Sequence, residues 1–240
     1  MVEKVIMRQL LNNQLVTSFK KNDGFTLIEI LVAMVLMTII LSISLSGSFS
    51  SRGNLDKDVN SIERALRFMS DEAALKNAVV RLHFKLDQNP QEYAVEYGPS
   101  DSFILPPNAV NETKTVSLEE AEKSKIITKE LNLKFNKVQE FQDSNYEISD
   151  NIKIIGVGTS QSIKLQSSGE ISTYTYPSGE KDDALVLIAS NEDIISLKVD
   201  PYSMKIERQV YQLENTNSGD ITAIQLAKAT EIFEKWQKEK

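Results

Sequence analysis

The chain has 240 residues, 41% hydrophobic and 25% charged, which fits one globular domain with an appendage and excludes a disordered or fibrous chain. It holds no cysteine and one histidine, His83, which excludes disulfides, thiolate metal sites, cysteine nucleophiles and any site needing two imidazoles. Its 27 Lys and Arg stand against 34 Asp and Glu, a net charge of −7 that works against phosphate binding.

Residues 1–24 read as a polar leader with Lys20 and Lys21 near its end. Phe25 to Leu45 follows as FTLIEILVAMVLMTIILSISL, 21 residues with a single charge, Glu29. At helical rise the run spans roughly 31 Å, about one bilayer core. Its apolar residues lie all round the helix, which predicts a transmembrane segment rather than a surface helix. Basic residues before a first apolar helix hold that end in the cytoplasm, so the rest of the chain is expected across the membrane. A secretory signal peptide is the alternative. Its apolar region is shorter, roughly 7–15 residues, and only Ser42-Ile43-Ser44 and Ser46-Gly47-Ser48 offer weak cleavage sites here. A carboxylate inside an apolar span costs about 2.5–3.5 kcal/mol at mid-helix. Glu29 is therefore either a residue at headgroup level or a functional group.

The string Gly24-Phe25-Thr26-Leu27-Ile28-Glu29, after Lys20 and Lys21, resembles the prepilin processing motif of type IV pilins and type II secretion pseudopilins. The resemblance implies that a prepilin peptidase cuts between Gly24 and Phe25 and methylates the new amino terminus of Phe25. It also implies an assembly role for Glu29, the fifth residue of the mature protein. Gly24, with no Cβ, suits close approach of an extended leader to a peptidase. The cationic amine on Phe25 would meet the glutamate of a neighbouring subunit, an attraction much stronger in an apolar bundle than in water. Loss of the leader removes four basic and two acidic residues, leaving 23 basic against 32 acidic and a charge of −9 before the new amine.

Ser42–Asn54, with Gly47 and Gly53, has lower helix propensity and predicts a soft point where the helix leaves the membrane. Beyond it Leu55, Val59, Ile62, Leu66, Met69 and Ala73 recur at helical spacing and predict a stripe packed on a sheet. Val79–Leu86 alternates apolar and polar residues and predicts a half-buried strand with His83 on its solvated face. Asn89-Pro90 predicts a turn, Tyr93–Tyr97 a hairpin partner, and Phe103–Leu105 a short third strand. Residues 108–150 read as an insertion on a sheet edge, helical near Val116–Glu130. Asp143, Asn145, Glu147 and Asp150 form a solvated loop, or a loose calcium loop without the glycine and final glutamate of a hand-type site.

Strand signals resume at Ile152–Ile155, Ile163–Leu165, Ile171–Tyr176, Ala184–Ala189, Ile194–Val199 and Met204–Arg208. Turns fall at Tyr176-Pro177-Ser178-Gly179 and Asp200-Pro201-Tyr202-Ser203. Gly156-Val157-Gly158 lacks the pattern of a dinucleotide loop and reads as a strand end. Asp220–Lys240 predicts a helix with Ile221, Ile224, Ala227 or Lys228, Ile232 and Trp236 on one face. Trp236 is expected in the core, with a partner contact as the alternative.

The spacing within Ile62–Leu105 and Ala184–Glu207 resembles the H-type minor pseudopilin of type II secretion, whose soluble domain also occurs in minor pilins of type IV pili. The fold class this implies is α+β: a long N-terminal helix, half transmembrane and half packed on an antiparallel β-sheet domain, with an inserted 108–150 segment and a C-terminal helix. The divisions are a cleaved leader at 1–24, a transmembrane and assembly helix at 25–48, and a periplasmic domain at 49–240. The implied function is that of a minor pseudopilin in the inner membrane, assembled into a periplasmic pseudopilus at or near its tip. Its partners would be prepilin peptidase, other minor and major pseudopilins, the inner-membrane assembly platform and membrane lipid, with no nucleic acid. The alternative is a minor pilin acting in pilus priming, adhesion or DNA uptake. A single-pass anchored enzyme would need carboxylate or Ser–Lys chemistry. The sequence carries no nucleophile motif, so no catalytic residue, cofactor or metal is expected.

Overall fold

The computed structural model describes residues 26–99, 126–138, 146–213 and 220–239, with the backbone alone over 42–51. The leader, Gly24, Phe25, the expected strand Phe103–Leu105 and most of the 108–150 insertion lie outside the described residues. The chain divides into two compact units, Met1–Ser46 and Gly47–Lys240. Helix α1, Leu27–Lys76, is 50 residues long and unbroken. The expected soft point at Ser42–Asn54 is helical throughout, since a glycine penalty of about 1 kcal/mol is small beside the many helical bonds on either side.

In the second unit α1 supplies the predicted stripe. Leu55, Val59, Ile62, Leu66, Met69 and Ala73 are all buried, joined by Ala65. The β structure is two antiparallel four-stranded sheets rather than one. The strands are β1 (Val80–Lys85), β2 (Glu92–Tyr97), β3 (Asn136–Lys137), β4 (Lys153–Thr159), β5 (Glu170–Thr175), β6 (Ala184–Ala189), β7 (Asp193–Val199) and β8 (Ile206–Gln212). One sheet has the order β3-β2-β1-β5 and the other β4-β6-β7-β8. Val80, Leu82, Phe84, Val95 and Ile171 of the first join Val186, Ile188, Ile195 and Leu197 of the second in one core with the α1 stripe.

The second sheet is covered on its other face by helix α2, Ile221–Lys238. Leu185, Leu187 and Ile194 meet Ala229, Ile232, Phe233 and Trp236 there, which explains why β6 is a continuous apolar run. Trp236 docks in this core as expected. The helix face differs from the sequence reading: Gln225, Ala229, Ile232, Phe233 and Trp236 are buried, while Ala227 is exposed. The Gln225 amide donates to Ser190 O at 2.8 Å, so a polar residue takes a core position at little penalty. Asp220 caps the helix by accepting from Thr222 N–H at 3.0 Å.

Three further expectations are corrected. Gly156 and Gly158 lie inside β4, not at its end, because Leu165 and Phe233 fill the space a Cβ would take. Ile163–Leu165 is not a strand; only Gln166 bridges back, to Val157. The strand expected at Met204 begins at Ile206, because the Asp200 carboxylate accepts from Tyr202 and Ser203 N–H at 2.9 and 2.8 Å and lengthens the turn. The insertion does reach a sheet edge: residues 126–132 are helical and β3 pairs with β2.

Together the elements form an α+β, pilin-like arrangement: an N-terminal helix, antiparallel sheets and a C-terminal helix.

Candidate functional site at the start of the first helix

Thr26 immediately precedes the first helical residue, and its position explains where α1 starts. The Glu29 N–H donates to Thr26 O at 3.0 Å and lies 3.3 Å from Thr26 Oγ1, and Ile30 N–H donates to Thr26 O at 3.2 Å. Thr26 is thus the N-cap and Glu29 stands three residues on, the Thr-x-x-Glu spacing of a capping box. Glu29 also places its carboxylate in the first turn, where the helix dipole favours negative charge. Both effects are local and depend on the same residues that carry the processing motif.

Glu29 is exposed, and so are the apolar side chains that follow it from Ile30 to Leu41. Within the described residues the helix therefore presents a carboxylate followed by bare hydrocarbon. Gly24 and Phe25 lie outside the described residues, so Glu29 alone of the three expected site residues has a described environment. Among the described residues no helix is long and apolar enough to cross a membrane. The described side chains of the apolar run end at Leu41, whereas the run in the sequence continues to Leu45.

A second cluster of chemistry-bearing groups lies on the outer face of the β3-β2-β1-β5 sheet, and the sequence reading did not assemble it. Arg81 is 2% exposed. Its guanidinium pairs with Glu96 at 2.6 Å, donates to Asn132 Oδ1 at 2.7 Å and lies 3.9 Å from the centre of the Phe135 ring. His83, expected on a solvated face, is buried at 5% exposure. The face is polar in composition, but residues 131–135 and Tyr174 cover part of it. His83 Nδ1 lies 2.8 Å from Ser172 Oγ, and Nε2 lies 3.5 Å from Glu170 Oε2.

Serine, histidine and glutamate in that order have the composition of a nucleophile, base and orienting acid. The electrostatics do not suit the role. Burial first, and then Arg81, Lys85 and Lys137, hold the His83 pKa down to about 3. A base that weak takes up little proton at neutral pH. The tautomer with the proton on Nε2 lets neutral His83 face the Glu170 carboxylate with a donor and accept a hydrogen bond from the Ser172 hydroxyl at Nδ1. The cluster is a cross-strand polar stack. The signal for it was present in the register, because Ser172 and Glu170 alternate on β5 as His83 does on β1. Among the described residues no group of histidines and carboxylates could hold a metal ion.

In comparisons with known proteins, residues 19–45 match the family model described as a prokaryotic N-terminal methylation motif. No curated protein and no solved structure matches the chain. The matched motif supports a type IV pilin-like protein, a structural and non-enzymatic class. It implies processing by a prepilin peptidase and assembly with other pilins, and it suggests membrane anchoring by the N-terminal helix.

Proposed function

We propose that the chain is a minor pseudopilin of a type II secretion system. A prepilin peptidase cuts it between Gly24 and Phe25 and methylates Phe25. Residues 25–48 hold it in the inner membrane, and residues 49–240 fold in the periplasm. The Glu29 carboxylate then receives the amine of a neighbouring subunit as the helices pack into a short pseudopilus, with this subunit at or near its tip. Other pseudopilins, the inner-membrane assembly platform and lipid are its partners.

The observation that carries the reading is the methylation motif over residues 19–45, with Glu29 in the first turn of a 50-residue helix and apolar side chains after it. When the surrounding hydrocarbon is buried, a carboxylate at that position is stabilised by a cation that reaches it. The choice of secretion over a pilus rests on two sequence facts. The chain has no cysteine to clip a C-terminal loop, and its acidity opposes contact with DNA.

The test is intact mass of the membrane-extracted protein, expressed with and without a prepilin peptidase. The expected result is loss of residues 1–24 and gain of one methyl group only when the peptidase is present. An unchanged N-terminus in both cases would overturn the reading. Crosslinking in cells then separates the two filament types, with capture of pseudopilins expected and capture of pilus subunits alone counting against secretion.

A further inference from the structure

Among the described residues, the chain bonds the open side of β2 beyond the two-residue β3, and the edges of β4 and β5, with its own backbone or side chains. Beside β2, β3 supplies partners and Tyr93 N–H donates to Tyr146 O at 3.1 Å. Along β4, Val157 and Gln166 exchange bonds at 2.9 and 3.0 Å, and the Gln91 side chain bonds both N–H and C=O of Ile154. On β5, Tyr174 N–H donates to the Asp182 carboxylate at 3.0 Å and Asp182 N–H donates back to Tyr174 O at 2.8 Å.

The edge of β8 is different. Leu213 N–H donates to Glu192 O at 2.8 Å, and paired residues alternate between bonded and non-bonded along the β7–β8 register. Glu207, Gln209 and Tyr211 therefore turn their backbone groups toward β7. Ile206, Arg208, Val210 and Gln212 turn theirs outward, and among the described residues nothing bonds them. Every β8 side chain from Glu207 to Val210 is exposed. A bare seven-residue edge is a template for another strand.

We propose that β8 pairs antiparallel with β8 of a second copy of this chain, joining two four-stranded sheets into one. The inference is independent of the function proposed above. Register decides whether a second copy fits. Outward-facing residues must oppose one another, which limits the ways two copies can align. Arg208 opposite Arg208, or Glu207 opposite Glu207, sets like charges face to face. The alignment that pairs all of Ile206–Gln212 avoids both. It sets Gln209 against Gln209, Arg208 against Val210, Glu207 against Tyr211, and Ile206 against Gln212. The two Arg208 side chains are then diagonal neighbours, and each already pairs with Asp56 and Asn60 of its own α1. The charges that keep this edge from indiscriminate pairing thus leave one full-length register open.

The chain has no cysteine, so single cysteines read the register without background. Opposed non-bonded pairs place Cβ atoms roughly 4.5–5.5 Å apart, near enough for a disulfide after slight adjustment. The full-length chain in detergent is oxidised and resolved by non-reducing electrophoresis. Q209C is expected to form a covalent dimer in most of the protein. E207C alone and Y211C alone are expected to stay monomeric, while an equal mixture of the two crosslinks. Val210→Pro removes an outward N–H and is expected to reduce the Q209C crosslink at least tenfold with an unchanged circular dichroism spectrum. No Q209C dimer from folded protein overturns the proposal. So does a dimer formed equally well by E207C alone, since that reports non-specific collision or a different register.

Discussion

Gly158 on β4 lies beneath the ring of Phe233 on α2, so closely that a Cβ at Gly158 would overlap Phe233 Cε2 and stand 2.8 Å from Cδ2. The same ring contacts Trp236, with centroids 5.7 Å apart. Gly158→Ala is expected to destabilise the fold by about 1–3 kcal/mol through overpacking. Phe233→Ala alone is expected to cost about 3–5 kcal/mol. In the Phe233→Ala background the Gly158 penalty should largely vanish, because the atom it clashes with is gone. Urea denaturation followed by emission of Trp236, the sole tryptophan, measures all three. Strict additivity would refute the contact.

Arg81 and Glu96 form a buried pair, 2.6 Å apart at closest approach. Arg81→Met leaves the Glu96 carboxylate buried without its cation and is expected to destabilise by about 3–5 kcal/mol. Replacing both residues with Met should cost clearly less than the two single changes added together. The double-mutant cycle by chemical denaturation checks this, and a zero coupling energy would show that the pair is not formed in solution.

His83 makes the fold acid-sensitive. Its pKa is lowered from 6.5 to about 3 by burial, so between those values the unfolded chain binds a proton that the folded chain refuses. Stability from this group is present above about pH 6.5 and is lost as pH falls toward 3. His83→Gln should flatten that part of the profile. The check is the denaturation midpoint measured from pH 4 to 7 for both proteins.

Asp182 acts with the opposite sign. Burial raises its pKa from 3.8 to about 6, against the bond it accepts from Tyr174 N–H. The folded chain binds the extra proton, so stability from this group falls as pH rises through about 6. Asp182→Asn keeps an acceptor for Tyr174 and removes the charge. It should gain on the order of 2 kcal/mol at pH 7.5 and only a small fraction of that at pH 4. An unchanged midpoint at pH 7.5 would show that Asp182 is well solvated.

Glu29 is the residue on which assembly is proposed to turn. Glu29→Gln keeps the shape and removes the charge, so it should leave processing and N-methylation intact and lower crosslinking to neighbouring subunits at least tenfold. Thr26→Ala removes the capping hydroxyl and should weaken only the first turn, by about 1 kcal/mol. Intact mass and subunit crosslinking, read on the same membranes, separate the two effects. Normal crosslinking by Glu29→Gln would exclude an amine–carboxylate contact.

Much was legible locally. The Gly24–Glu29 motif is contiguous, so it survives in one dimension, and the methylation-motif match covers it. The Leu55–Ala73 stripe and the apolar run of β6 were readable because burial on one helix face, or on both faces of a strand, imposes its own period. The turn at Asp200 was readable in kind, but its length depended on two bonds to one carboxylate.

By itself, then, the sequence determined the processing motif, the long helix with its core stripe, most strands and the α+β class, because each follows from neighbours a few positions apart. Tertiary structure alone decided the rest. Arg81 meets Asn132 across 51 positions, and that covering turns a polar strand face into a buried one. Gly158 and Phe233 explain each other only once β4 and α2 touch. The split into two sheets and the β8 edge, bare among the described residues, depend on which strands pair, and pairing is a long-range choice that alternation along one strand does not encode.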